Sequence, residues 1–336
     1  MRVATYQRAG VPITIEEVPD PRPEPGDVIV GIARCGICGS DVSMTSGSPF
    51  DYAEGWRMGH EYAGEVVEVG PAVENLKIGD RVACMPGVGC GTCEPCRRGE
   101  FVFCQSVRSF GGGFAPYAAV DARSAFRLPE RLSMSDGALV EPLAVGLHAL
   151  NMARFQGGEN VLILGAGSMA LAVVYWARRL GASQITVASR SAHRREVVEA
   201  MGADSVVGFG ESDLESFGTA AAPPDLVAEC VGKPGMINTA VQLVRPGGTL
   251  ISLGMCTENE PLLPALCAFK DIRLFFPIAY STAEFEQTTR TLESGDIHPE
   301  MMVSEIISLD ALPGKIEALR GGAKSLKVLV DPTLTN

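Results

Sequence analysis

Four cysteines within fifteen residues, Cys90, Cys93, Cys96 and Cys104, follow the spacing C-x2-C-x2-C-x7-C. Thiolates this close repel one another unless a soft cation neutralises them, and tetrahedral Zn2+ is the usual one. Four sulfurs leave no coordination position open, so the set predicts a structural metal site. A different set lies upstream: Cys35 and Cys38 in CGICGSD, then His60-Glu61, with Glu141 further on. Cys38, His60 and a carboxylate would supply one sulfur, one nitrogen and one oxygen, and leave a position for water or substrate. Asp41 can orient His60 by accepting its second ring N–H. Cys35 reads as a small buried side chain, and His148, His193 and His298 as ordinary residues.

A third chemistry is written in Gly165-Ala166-Gly167-Ser168-Met169-Ala170. Gly165 can supply a tight turn, Gly167 lets backbone amides approach a pyrophosphate, and Ala170 suits close packing of helix on strand. The next strand ends in Ala188-Ser189-Arg190-Ser191, with Arg194 and Arg195 beyond. An NAD site places a carboxylate there for the ribose 2′-hydroxyl, whereas a guanidinium grips a 2′-phosphate. Ser189, Arg190 and Arg194 therefore predict a preference for NADP(H) over NAD(H), and Arg195 reads as helix surface. A closed zinc lobe, an open zinc site and a nucleotide fold together suggest an alcohol-oxidising or carbonyl-reducing enzyme.

These sites need scaffolds. Residues 1–140 read as β-rich, with short apolar runs (DVIVGIAR, YAGEVVEVG, RVACMPG, PYAAVD) broken by Gly, Pro and Asp. From Glu141 strands and helices alternate: a helix at EPLAVGLHALNMA, a strand at VLILG, a helix through GSMALAVVYWARRLGA and a strand at ITVAS. Further on come a helix at AHRREVVEAMGA, strands at SVVGF and DLVAEC, a helix at GMINTAVQLV, and strands at GTLISLG and IRLFFP. This alternation predicts a doubly wound parallel sheet. The stretch 211–224 carries no clear pattern, and the tail 277–336 offers one helix (TAEFEQTTRTLESG) and a strand (LKVLV) expected to return to the first domain.

Composition bounds the partners. The 336 residues carry a formal net charge of −12, which argues against nucleic acid and anionic membranes. Neither a secretory signal nor a membrane-length apolar run is evident, so the ten cysteines read as reduced thiols and metal ligands in a cytoplasm.

The motifs G-I-C-G-S-D, G-H-E-Y-A-G-E-V-V-E-V-G, the four-cysteine lobe, E-P-L-A-V-G-L-H-A-L and the glycine-rich turn occur in one order along almost the whole chain. Together they resemble the zinc-dependent medium-chain dehydrogenase/reductase family. Glu141 in its E-P-L setting is similar to the sorbitol, polyol and threonine dehydrogenase branches. The resemblance implies a GroES-like catalytic domain at 1–145 and 277–336, with the structural zinc lobe at about 86–106. It implies an inserted Rossmann domain at 146–276, an active site in the cleft between the domains, and a homodimer or homotetramer. Cys38, His60 and Glu61 or Glu141 would hold a catalytic zinc, giving two zincs per chain with the lobe. Ser40 would begin a proton relay, and Ser43 stands where many members have the histidine that completes it. Val231, Gly232, Leu253 and Gly254 join the expected cofactor set. The implied reaction is hydride transfer between NADP(H) and a secondary alcohol or ketone, such as a polyol, cyclic or sugar-derived alcohol. A mainly reductive NADPH-dependent ketone or aldehyde reductase, and a non-catalytic zinc-stabilised nucleotide-binding protein, are the alternatives. Substrate lining is expected from residues 43–57, near Phe110 and near Tyr280, with Tyr52 and Trp56 as an apolar wall and Asp51 and Glu54 as hydroxyl contacts or solvated groups.

Overall fold

The computed structural model describes residues 1–47, 50–210, 222–295 and 297–335. The chain divides into two compact units: Met1–Glu141 with Tyr280–Gly295 and Val303–Asn336, and Pro142–Ala279 with Asp296–Met302.

The first unit opens with the antiparallel pair β1 (Arg2–Thr5) and β2 (Thr14–Glu17). There follow β3 (Asp27–Gly36), α1 (Gly39–Ser43), β4 (Glu61–Val69) and β5 (Arg81–Cys84). The two-residue strands β6 (Gly87–Val88) and β7 (Arg108–Ser109) pair with each other and close the base of the cysteine lobe, which holds the single-turn α2 (Glu94–Arg97). β8 (Tyr117–Asp121) and β9 (Ala125–Arg127) complete this run. β3 is apolar along most of its length because it pairs with neighbours on both edges. β4 is buried from Glu61 to Gly64 and then turns Glu65, Val67 and Glu68 outward, as a strand with one wet face does.

Helix α3 (Met134–Met152) carries the chain from the first unit into the second. It begins seven residues before the predicted start at Glu141. Ser133 and Asp136 form a reciprocal cap: the Ser133 amide donates to Asp136 Oδ2 at 2.8 Å, and the Asp136 amide donates to Ser133 Oγ at 3.1 Å.

The second unit runs β10 (Asn160–Leu164), α4 (Ser168–Arg179), β11 (Gln184–Ala188), α5 (Arg195–Ala200) and β12 (Ser205–Val207). It continues with β13 (Leu226–Glu229), α6 (Met236–Leu243), β14 (Thr249–Ser252), α7 (Pro264–Lys270) and β15 (Arg273–Phe275). The six strands are parallel in the order β12-β11-β10-β13-β14-β15, the doubly wound arrangement whose order reverses beside β10. Every residue of α4 from Ala170 to Ala177 is buried, as expected of a helix that is apolar all round. α5 is shorter than its sequence pattern suggests, because Ala192–Arg194 form a 3-10 turn ahead of it. The patternless stretch 211–224 lies outside the described residues over 211–221.

The tail holds α8 (Thr282–Thr291), β16 (Val303–Ser308), α9 (Leu312–Arg320) and β17 (Lys327–Asp331). β17 returns to the first unit and pairs antiparallel with β3, Leu329 opposite Gly36, in a sheet of order β16-β17-β3-β4-β5-β9 with β8 also on β3. β16 and α9 go beyond the single helix and strand predicted there. β16 is only partly buried, and α9 opens on Leu-Pro-Gly, which reads as a turn. Among the described residues no helix is long and apolar enough to cross a membrane.

A Cβ on Gly64 of β4 would run into the Gly31 carbonyl of β3. Gly64→Ala must therefore push two backbones apart. A loss of about 2 kcal/mol or more is expected, read as a lower urea midpoint; an unchanged midpoint would show that the sheet yields freely.

Candidate metal centres and nucleotide cleft

Three adjacent strand ends build one site in the first unit. β3 ends at Gly36, two residues before Cys38; β4 begins at Glu61, directly after His60; β17 begins at Lys327. Gly36 and Glu61 are register partners, and a Cβ on Gly36 would lie 2.0 Å from Glu61 Oε2. Glycine is needed at Gly36 because the Glu61 side chain lies across it. One ligand-type atom from each of Cys38, His60 and Glu61 falls within 4.8 Å of the others. Asp41, completely buried, organises two of them. Its Oδ2 accepts the Cys38 amide at 2.9 Å at the start of α1, and its Oδ1 lies 3.6 Å from His60 Nδ1.

The electrostatics are those of a place prepared for positive charge. Burial opposes charging His60, but Asp41 and the Cys38 sulfur outweigh it and hold the imidazole well above its usual pKa. Glu61 is 1% exposed, and Lys327, 2% exposed, donates to both its oxygens at 2.9 and 2.6 Å and to the Ile37 carbonyl at 3.2 Å. Burial works against the Lys327 ammonium, yet Glu61 raises its pKa above the ordinary value. Glu141 is buried among the same groups, and burial pushes its carboxyl up to about 7. Tyr280 is also buried, and its hydroxyl is made less acidic by burial and by Glu141. A sulfur, an imidazole and a carboxylate converging on one point are a donor set for zinc, with Glu141 buried nearby but not one of the three, and the excess of acidic over basic groups fits a dication.

Ser40 lies on α1 beside this cluster, and the Tyr52 hydroxyl faces its side chain. Burial, and then Asp41, make Tyr52 a weaker acid. Its ring stacks on Trp56 at 5.7 Å between centroids, with the planes 8° apart, and meets Tyr6 edge-on at 6.4 Å. The two aromatics thus form one rigid wall. Ser43 Oγ donates to the Ser40 carbonyl at 3.4 Å, so it turns back onto its own helix. Asp51 accepts the Tyr6 hydroxyl at 2.9 Å and the Gly47 amide at 3.1 Å, tying its loop to the segment after β1, while Glu54 is exposed. Phe110 is buried under the Arg108 guanidinium, and Cys35 is fully buried with burial pushing its thiol up.

The sulfurs of Cys90, Cys93, Cys96 and Cys104 lie within 4.8 Å of one another. Backbone amides point at them: Cys90 N–H to Cys104 Sγ at 3.3 Å, Cys93 N–H to Cys90 Sγ at 3.4 Å, and Ser106 N–H to Cys104 Sγ at 3.4 Å. The Thr92 hydroxyl and nearby amides pull the Cys90 thiol down to about 5, whereas at Cys93 an amide at Cys96 is outweighed by the neighbouring cysteine sulfurs, which push the thiol up to about 12, so the four cannot all ionise without a cation. Amide donors favour thiolates, the form that binds metal, and four sulfurs fit a closed tetrahedral site.

In the second unit a cleft of about 500 Å³ opens at the strand ends around β10. Gly165, Ala166 and Gly167 line it, with Ser189, Arg190, Arg194 and Val231. Gly165 has φ 106°, the left-handed region that suits glycine, and the space a Cβ of Gly167 would enter is open. Arg194 donates to the Ala166 carbonyl at 2.9 Å, tying the turn after β11 to the glycine turn. Ser168, Met169, Gly232, Leu253 and Gly254 are not among the lining residues. Gly232 donates to the Glu229 carboxylate at 2.8 Å, and Leu253 and Gly254 donate to the Glu229 carbonyl at 2.7 and 2.9 Å, so these three shape the wall from behind.

Sequence reasoning missed Lys327 and Lys233, the latter also lining the cleft, and the buried Glu229. A lysine opening an otherwise apolar strand and a glutamate closing one were the available signals.

Comparison with known proteins adds independent findings. The family model for the alcohol dehydrogenase GroES-like domain matches residues 24–130, and that for zinc-binding dehydrogenases matches residues 167–294. Sorbitol dehydrogenase of Bacillus subtilis (strain 168) is 33% identical, covering 95% of this chain and 94% of its own length. A chain from Sinorhizobium meliloti 1021, described as a zinc-binding dehydrogenase and solved bound to NADP, superposes with TM-score 0.90 at 31% identity, covering 98% of this chain and 99% of its own. Galactitol-1-phosphate dehydrogenase of Escherichia coli gives 0.89 at 27% identity, covering 99% and 100%.

Two outcomes follow from the buried charges. Glu141 has a folded-state pKa near 7 against an ordinary 4.5, so without metal the folded form holds its proton more tightly than the unfolded one. Stability of chelator-treated protein should therefore fall as pH rises from about 4.5 to about 7, and Glu141→Gln should flatten that slope in thermal melts. Lys327→Met should cost about 3–5 kcal/mol by leaving Glu61 buried and unpaired, and Lys327→Met with Glu61→Leu should recover much of it. No recovery in the double variant would mean that Lys327 acts through packing alone.

Proposed function

Because this chain belongs to the zinc-dependent medium-chain dehydrogenase/reductase family, on its polyol side, we propose that it transfers hydride between NADP(H) and a secondary alcohol or ketone of the polyol or sugar-alcohol class. The observation that carries this reading is the convergence of Cys38, His60 and Glu61 donor atoms within 4.8 Å, with Ser40 on the adjoining helix. The sorbitol and galactitol-1-phosphate dehydrogenases among its relatives support the substrate class.

Cys38 and His60 would hold the catalytic zinc together with a carboxylate. Glu61 has its oxygen in the cluster, but Lys327 offsets its charge, which leaves Glu141 to balance the metal. A dication and the Lys327 ammonium then set three positive charges against the Cys38 thiolate, Glu61 and Glu141, with the buried Asp41 facing His60 and the Cys38 amide as a fourth acid. Cys90, Cys93, Cys96 and Cys104 would hold a second, structural zinc. When bound, the catalytic zinc supplies Lewis acidity to the reacting oxygen and the nicotinamide supplies the hydride chemistry. Ser40 would take the substrate's hydroxyl proton as it releases its own to solvent, with the Tyr52 hydroxyl beside it, while Ser43 is bonded to the Ser40 carbonyl and does not extend the path. Asp41 holds His60 in place, and Tyr52 with Trp56 offers a flat apolar face to the carbon skeleton.

Ser189, Arg190 and Arg194 would favour the 2′-phosphate, and among the described residues that line the cleft none is a carboxylate; the NADP-bound relative supports this choice. Exposed Phe269, Phe276 and Ile278, flanking the edge strand β15, support a homo-oligomer formed through that edge.

Wild-type protein should carry two zincs per chain by elemental analysis and reduce NADP+ in preference to NAD+ on a panel of polyols. Cys38→Ala should keep one zinc and lose turnover at least about a hundredfold, whereas Cys93→Ala should mainly lower the melting temperature. Substantial activity in Cys38→Ala would overturn the assignment.

A further inference from the structure

The turn between β13 and α6 is held more firmly than a surface connection requires. Glu229, 1% exposed at the end of β13, accepts the amides of Val231 and Gly232 at 2.6 and 2.8 Å through Oε1, and the Ser252 hydroxyl at 3.2 Å through Oε2. Gly232 takes φ 69°, and a Cβ there would lie 2.9 Å from the Met255 amide nitrogen. On the far side of the turn, Glu260 accepts the Gly235 amide at 2.5 Å and the Asn238 amide at 3.2 Å. Pro234 stiffens what remains. Both carboxylates are engaged with backbone, and the side chain carried between these two anchors is the exposed Lys233.

Lys233 lines the same cleft as Arg190 and Arg194, but from another wall. In the sheet, β10 lies between β11 and β13. The turn bearing Arg190 and the turn bearing Lys233 therefore flank the glycine turn on opposite sides. A phosphate monoester is close to a dianion at neutral pH, with three acceptor oxygens, and a guanidinium on one side leaves oxygens for a second donor.

Resting on the NADP reading above, we infer that Lys233 is a cofactor-specificity residue: its ammonium closes on the ribose 2′-phosphate from the β13 side, opposite Arg190. Discrimination between NADP(H) and NAD(H) then depends on both walls. The pinned turn matters because a lysine on a floppy loop would lose conformational entropy on contact, whereas a fixed backbone leaves only the side chain to be ordered.

Isothermal titration of the full chain with adenosine 2′,5′-bisphosphate and with 5′-AMP tests this without turnover. Wild type should bind the bisphosphate more tightly. Lys233→Gln should weaken the bisphosphate about tenfold and leave 5′-AMP unchanged, as should Arg190→Gln. Unchanged bisphosphate affinity in Lys233→Gln, with a loss in Arg190→Gln, would overturn the role of Lys233 while the NADP reading stands. Equal weakening of both ligands would also overturn it, because Lys233 would then serve the 5′-phosphate or the fold. A wild type that does not distinguish the two ligands would remove the NADP reading itself, and the inference with it.

Discussion

The first unit is organised around one ion pair, Glu61 with Lys327. Asp41, Glu61 and Glu141 are buried close to the Cys38 sulfur, and isolated charges of one sign inside a protein are costly. Lys327, buried, answers Glu61 with two hydrogen bonds and spends a third on the Ile37 carbonyl, while Asp41 faces His60. Its position follows from the sheet. β17, β3 and β4 lie side by side, so the residues that open β17 and β4 and the segment leaving β3 meet at one edge. Gly36 is the geometric condition for this meeting, since any larger residue would occupy the path of the Glu61 side chain. A buried pair of this kind is poor evidence of stability, because desolvation cancels much of its attraction. Its value lies in fixing where a carboxylate and its charge are held.

The second unit meets the opposite electrostatic problem. It offers cations around a cleft and keeps its nearby carboxylates turned into backbone. Glu229 and Glu260 both accept amides at turn positions, and Arg194 is committed to the Ala166 carbonyl. The result is a cleft with positive side chains on two walls beside a glycine turn open enough for a phosphate to approach the backbone. Parallel strands produce this arrangement, because successive strand-to-helix turns emerge at the same edge of the sheet.

What could be read from the chain beforehand was what is local. The cysteine lobe, the glycine-rich turn and the G-H-E segment are each written within a few consecutive residues, and their spacing carries their chemistry. The alternating strands and helices of the second unit were legible for the same reason, with α7 missed because Pro264 reads as a break. Lys327 was illegible because its partner is 266 residues away, and only the β17–β3 pairing brings it near. The early start of α3 was written in Ser133 and Asp136, but a loop-like Leu-Ser-Met-Ser hides it. Ser43 shows a further limit: its residue type suits a relay, while the direction of its hydroxyl is decided by the helix it sits in.

The distance along the chain between Glu61 and Lys327 also has a meaning in time. At roughly 5–20 residues per second of synthesis, the 266 positions separating them take from about a quarter of a minute to nearly a minute to translate. For that interval the ribosome-borne segment carries Cys38, Asp41, Glu61 and then Glu141 with no lysine to answer them. Until β17 arrives, Glu61 lacks the ammonium that pairs with it and β3 lacks one of its neighbours in the sheet.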